Sequence, residues 1–396
     1  MTQSNYTSLY RRYLAFQFLR GLHFFSAVLM PMFTDWAGLS EASVLMIQSW
    51  FWFWAFFLEI PTGTVADRWG RKYSLMLGAS AWVIGALIYG SVPMLAVFLL
   101  AEFLFALGVA LMSGADEALL YDALKQVGQE DQARHIMGRA RAFHLAGILF
   151  SAPIGSVVAA QFGLNAPMLL SAVPALLAVV LIWPLAEPRL HDHDEMDYWQ
   201  TLREGTLYFW RKKLLWPIVI NATVVAVATY YVIWLYQPLF QRLEVPITWF
   251  GWAHAFFVVI EMLVSSQFVR LTHWFGGPRR FKVAVLILTA LGFLSVAVYP
   301  HWVTVLVMLA LSGGFGLTYF EYVKADLHRF IPSSQRGTAI STLKMLQGIG
   351  RSLLNPVVGV MIVSQMRPLM SALAFMVVAS IFLLFRAPAK KVKIAE

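Results

Sequence analysis

Cysteine is absent from the 396 residues, which excludes disulfides and thiolate chemistry. Charged residues are scarce, at 13% of the chain. No small-residue cleavage site follows the first apolar segment, which Arg20 interrupts, so no cleavable signal peptide is expected. No Walker pattern is present, and GGFG (Gly313–Gly316) lacks the strand–turn–helix setting of a phosphate loop. ATP hydrolysis is therefore not expected, and that glycine cluster reads as close helix packing. No catalytic triad emerges, so the chain does not read as an enzyme. His191, Asp192, His193 and Asp194 read as a solvated linker rather than a metal site, and no cofactor is expected.

What is abundant is apolar surface. Hydrophobic residues make up 59% of the chain, against roughly 45–50% in a soluble domain, and the mean hydropathy is +0.67. A bilayer core needs about 20 apolar residues per helix. Twelve runs meet that need: 13–33, 42–62, 73–90, 94–114, 142–162, 166–186, 214–236, 249–269, 282–299, 302–322, 338–362 and 368–386. The runs are continuous rather than alternating, which favours helices over a barrel. The net charge of +9 does not point to nucleic acid, because its distribution follows the membrane. With the N-terminus in the cytoplasm, nearly all Lys and Arg fall in inside loops and tails. Arg242 and Arg367 are the outside exceptions, and Arg20, Lys344 and Arg351 lie within spans. This positive-inside pattern predicts an inner-membrane protein with both termini cytoplasmic. The basic tail (Lys390, Lys391, Lys393) is placed to meet anionic lipid headgroups.

The longest connection, Glu187–Lys213, separates spans six and seven. It divides the chain into 1–188, a cytoplasmic loop 189–213, and 214–396. The halves look related. Glu59 and Arg68 correspond to Glu261 and Arg270, and Glu117, Asp122 and Gly155 to Glu321, Asp326 and Gly359, in order and at nearly one offset. Such correspondence suggests duplication, and parallel six-helix repeats are one of the transporter plans. The expected fold class is all-α integral membrane, with twelve transmembrane helices in two pseudo-symmetric six-helix bundles.

Four charges crowd one short stretch between spans two and three, PTGTVADRWGRK (61–72). Gly63 removes a side chain where a neighbour must come close. Gly70 permits a tight turn with positive φ. Asp67, an acceptor only, suits the N-terminus of another helix. The stretch resembles the signature G-x-x-x-D-R-x-G-R-K/R of the major facilitator superfamily, and Gly63, Asp67, Arg68, Gly70, Arg71 and Lys72 fill every defined position. The resemblance implies that Asp67 seats against helix eleven, and that Arg68 and Arg71 pair with Asp122. Such a cluster would latch the halves on the cytoplasmic side. The second copy, SSQFVRLTHWFGGPRR (265–280), has lost the acid, so a weaker latch is expected there, with Asp326 pairing locally.

Ionisable groups at membrane depth are functional candidates. Glu102, Asp116, Glu117 and Glu321 are read as proton-coupling candidates, since a carboxyl in a low-dielectric cavity loads and releases protons. Arg20 and His23 share a face of span one, and Arg351 lies in span eleven. With Tyr230 and Tyr231 of span seven they are the expected substrate contacts. The competing reading pairs Arg20 with Glu102 or Asp116. His144 and His254 read as interior histidines. Drug antiporters of the resembled superfamily carry R-x-x-x-G-x-G in helix four, where this chain places Glu102, and their helix-five G-P-x-x-G-G is here APIGS (152–156). The expected function is proton-coupled transport of a small organic solute, anionic or carboxylate-bearing, by a monomer. The rivals are a proton/drug antiporter for cationic or neutral amphiphiles and a non-transporting sensor or assembly factor.

Overall fold

A computed structural model describes residues 3–185, 187, 212, 215–331 and 336–386 of the protein, and these are helical apart from short turns, with no strand among them. The first part of the chain forms α1 (Gln3–Gly21), α2 (Glu41–Trp69), α3 (Arg71–Tyr89), α4 (Leu95–Met112), α5 (Ala115–Gln126), α6 (Ala133–Phe162) and α7 (Ala166–Ile182). The second part forms α8 (Trp216–Arg242), α9 (Ile247–Ser266), α10 (Phe268–Trp274), α11 (Pro278–Val298), α12 (Trp302–Met308), α13 (Tyr319–Phe330), α14 (Arg336–Ser364) and α15 (Met366–Arg386). Among the described residues, ten helical segments are long and apolar enough to cross a bilayer, and α7 is a shorter apolar helix. The sequence-predicted linker residues His191, Asp192, His193 and Asp194 lie outside the described residues.

Local chemistry explains the helix ends. The Ser40 hydroxyl caps α2 by accepting from the Ser43 N–H at 3.2 Å. Pro167, Pro217 and Pro278 sit in the first turns of α7, α8 and α11, where a missing N–H costs nothing. The α4–α5 crossing bends at Gly114, which has φ +74°.

Two spans differ from the sequence expectation. The second does not end near residue 62: α2 continues to Trp69, and the whole signature turn is Gly70. Polar residues after 62 set the membrane depth, but Ala66 and Arg68 remain good helix formers, so the helix runs on into the polar region. The first span is broken. α1 stops at Gly21, residues 22–28 are coil and turn, and the chain resumes with one helical turn (Leu29–Pro31) and a π-turn (Met32–Trp36). Here α6 presses backbone against backbone: a Cβ on Gly147 would collide with the carbonyl of Phe18, and one on Gly155 with that of Phe24.

The chain divides into two compact units, one of residues 1–195 with 246–255, the other of 196–245 with 256–396. The core of the first includes Leu9, Tyr13, Phe16, Leu75, Leu119, Leu124 and Ile182. Gly78 lets α3 approach the Gly108 carbonyl of α4, and the Ser74 hydroxyl donates to Leu111 O at 2.6 Å across the same pair. In the second unit, Tyr319 donates to Asn221 Oδ1 at 2.5 Å, and Asn221 Nδ2 donates to Ser380 O at 3.0 Å. Gly313 and Gly314 pack against Phe257 and Ile260 within a π-helical stretch, Leu309–Phe315.

Candidate functional site: a charged clasp and buried polar clusters

The signature residues build a clasp inside the first unit. Gly70 adopts φ +103° and ψ 153°, a conformation essentially reserved for glycine. It ends α2 and starts α3 at once, and it has no side chain to cap α3. The cap comes from Glu187, beyond the end of α7. Its carboxylate accepts from the Arg71 N–H at 2.6 Å and the Lys72 N–H at 3.0 Å. A Cβ on Gly70 would meet that carboxylate at 2.9 Å. An anion against free N–H groups at a helix start is favoured by both hydrogen bonding and the dipole. The Arg71 guanidinium forms an ion pair with Asp122 of α5 and donates to Ala118 O at 2.8 Å. Lys72 lies over the Tyr73 ring at 5.5 Å.

Of the two arginines expected to pair with Asp122, only Arg71 does so. Arg68 is exposed: it lies in the last turn of α2, and its side chain leaves the clasp. The side chains of Asp67 and Asp326 lie outside the described residues. Gly63 is an interior residue of α2. Glu187 is the member that sequence reading missed. The available signal was negative: the helix start at Gly70-Arg71-Lys72 offers no capping side chain, so an acceptor must come from elsewhere.

Deeper in this unit, Glu102 is 4% exposed. Its Oε1 accepts from Gln48 Nε2 at 2.5 Å and from the Tyr89 hydroxyl at 2.7 Å. Both partners are neutral, and neither was anticipated. Asp116 is held differently, by Arg20 Nη1 at 2.7 Å and Gln17 Nε2 at 3.2 Å. The competing sequence reading, Arg20 against Asp116, is thus the arrangement observed. Glu117 and Glu321 are exposed. Each lies in the first turn of a short helix, α5 and α13, with its side chain directed away from the core of its unit. Glu59 accepts from the Ser113 hydroxyl at 3.0 Å. His23 stacks on Trp82 at 5.1 Å and meets His144 edge-on at 5.9 Å.

In the second unit the expected contacts of α8 and α14 come together. Arg351 lies over the Tyr230 ring at 5.1 Å, within the range of a cation–π attraction. Tyr231, fully buried, donates to Asn355 Oδ1 at 3.1 Å. Arg351 and Asn355 are four residues apart and so share one face of α14. Lys344 is exposed.

A sequence profile described as the Major Facilitator Superfamily matches residues 14–276, more than half of the chain, and the chain belongs to that family. It is a multi-pass membrane protein of a family of transporters. Among solved structures, a mutant form of the nucleoside transporter NupG is similar, with a TM-score of 0.79, 15% identity, and 96% of this chain and 98% of that one covered. The D-xylose-proton symporter is similar with a TM-score of 0.75, 14% identity, and 99% and 100% coverage. At these identities the likeness is one of fold. No curated protein matches the chain in sequence.

Proposed function

We propose that the protein is a proton-coupled secondary transporter of a small organic solute bearing a carboxylate. It would work as a monomer, by alternating access between its two halves, in an inner membrane with both termini cytoplasmic. The observation that carries the coupling reading is Glu102. It is a buried carboxyl whose hydrogen-bond donors, Gln48 and Tyr89, are both neutral. Among the described residues no fixed positive charge is bonded to it. A carboxyl so placed exchanges a proton at modest cost, whereas Asp116 is committed to Arg20. Arg351 against Tyr230 supports the carboxylate, because a guanidinium offers fixed donors to a planar acid. The clasp would open and close with the access state, with Asp67 contributing to it.

The test is solute-driven proton movement in vesicles reconstituted with purified protein, over a panel of carboxylates. Glu102→Gln is expected to abolish proton movement while leaving solute exchange intact. Undiminished proton movement in that variant removes Glu102 from the coupling path. Absence of movement for every solute favours the sensor reading. Asp67→Asn is expected to slow transport with expression unchanged.

A further inference from the structure

The stretch that joins α9 to α11 is basic and contains no acid. Between Glu261 and Glu321 the chain has no Asp or Glu, yet Arg270, Arg279, Arg280 and Lys282 all fall within 270–282. α15 lacks an acid as well and ends on Arg386. The fold brings these pieces together. Arg279 donates to Leu384 O at 3.1 Å and lies over the Phe385 ring, so the start of α11 adjoins the end of α15. Arg386 lies over the Phe382 ring at 4.4 Å. α10 is held beside them. Its Phe268 stacks on Tyr322 at 4.6 Å, and Phe275, just past its end, packs on Phe281 of α11 at 5.6 Å.

With those rings packed inward, α10 turns one face outward. Val269, Arg270, His273 and Trp274 are exposed, and their spacing places them on one side of the helix. Val269 is 77% and Trp274 80% exposed. An outward Trp beside arginines is the composition of a membrane–water interface. Phe382 and Phe385 of α15 are exposed too. Arg270, Arg280 and Arg386 are exposed, and among the described residues no acid pairs with any of the three. Arg270 donates to a neutral amide oxygen, Gln267 Oε1. In the first unit Arg71 is met instead by Asp122 and Glu187.

An exposed basic surface edged by exposed apolar side chains asks two things of a partner. A free inorganic anion answers the guanidinium groups and leaves the rings in water. A zwitterionic lipid covers the rings but brings an ammonium of its own. A lipid with net negative charge answers both. Its phosphodiester fits the guanidinium fork, and its acyl chains cover Val269, Trp274, Phe382 and Phe385. We infer that α10, the start of α11 and the end of α15 form a binding site for an anionic phospholipid, with Arg270, Arg280 and Arg386 as its headgroup contacts. The site concerns the bilayer and goes beyond the transport reading.

The experiment is native mass spectrometry of the purified full-length protein, with phosphatidylglycerol and phosphatidylcholine of the same chains in competition. Phosphatidylglycerol is expected to be preferred about tenfold or more, since each basic residue near an anionic surface contributes about fivefold. The preference should fall as salt rises. Arg270→Gln combined with Arg280→Gln should bring it to within about twofold of parity. Arg11→Gln combined with Lys125→Gln removes the same charge from exposed positions of the first unit and should leave the preference unchanged. Should the first double variant fold poorly, Arg386→Gln replaces it, with an expected loss of about fivefold. Equal binding of the two lipids to wild type overturns the site. So does a preference that survives Arg270→Gln with Arg280→Gln, or Arg386→Gln where that replaces it, and so does an equal loss in the first-unit control. If inorganic phosphate alone stabilises the protein against heat as much as phosphatidylglycerol does, the surface takes simple anions and the lipid site falls. The assay contains no solute. Failure of carboxylate-driven proton movement therefore leaves this inference standing, and loss of the lipid preference leaves the transport reading standing.

Discussion

Each unit contains a glycine turn followed by a helix that opens with basic residues, and the two turns are built to different standards. In the first, Gly70 alone joins two helices, and Asp122 and Glu187 supply carboxylates to the side chain and backbone of Arg71. In the second, a short helix α10 and two consecutive glycines with φ +74° and +124°, Gly276 and Gly277, do the joining, and Pro278 opens α11. Arg270 donates to Gln267 Oε1 at 3.1 Å. Arg279 donates to Leu384 O at 3.1 Å and lies over the Phe385 ring at 4.5 Å. One copy binds its arginine with charge, the other with a carbonyl and a ring. The proline removes an N–H that the first copy bonds to Glu187. Among the described residues, the second turn therefore keeps its arginines and its bend without the ion pair that holds the first.

The largest expected effect follows from that contrast. Asp122→Ala removes the carboxylate beside the mostly buried Arg71, whose side chain is 15% exposed. Breaking one partner of a buried pair costs about 3–5 kcal/mol. A double-mutant cycle with Arg71→Ala should return a coupling of at least about 1 kcal/mol in thermal or denaturant unfolding. Additive losses would mean that the pair contributes nothing beyond its separate side chains. Next comes Gly70→Ala. It combines an unfavourable backbone, about 1–3 kcal/mol, with a collision against Glu187. Gly277→Ala carries backbone strain alone, because nothing lies within 4 Å of a Cβ there. Gly70→Ala should be the worse of the two by a measurable margin in melting temperature, and equal shifts would show that Glu187 moves aside freely.

Much of this was readable from residues alone, because a bilayer imposes long apolar runs and a charge asymmetry that survive without any tertiary information. The signature turn was legible as a glycine bend, and the family resemblance placed both Arg68 and Arg71 near Asp122, of which Arg71 is found there. Glu187 was not, since it lies 116 residues from Arg71 and no spacing rule links the two. Glu102 was visible as an acid at membrane depth, but its partners Gln48 and Tyr89 come from other helices, and only packing brings them to one oxygen. The break at residues 22–28 was hidden for a different reason. Hydropathy records side chains, whereas this break arises where Gly147 and Gly155 let a neighbouring backbone in. The extension of α2 to Trp69 was missed because the end of an apolar run marks the end of the membrane, and a helix has no need to stop there.

The smallest expected effects separate the two copies most finely. Glu187→Gln keeps an acceptor for one N–H of α3 but removes the anion from the helix start. The dipole contribution is about 0.3–1 kcal/mol at an accessible site and is screened by salt. The stability difference between Glu187→Gln and wild type should therefore shrink as salt rises. Arg279→Lys in the second copy replaces a guanidinium that lies over a ring with an ammonium that is more strongly hydrated. Its loss should be of similar size but insensitive to salt, because its partners among the described residues, a carbonyl and a ring, carry no net charge. The comparison is thus decided by slopes against ionic strength, not by the magnitudes. If the two variants share one slope, the first turn is not ionic in the sense argued here, and the Glu187 carboxylate acts as a hydrogen-bond acceptor whose charge is incidental.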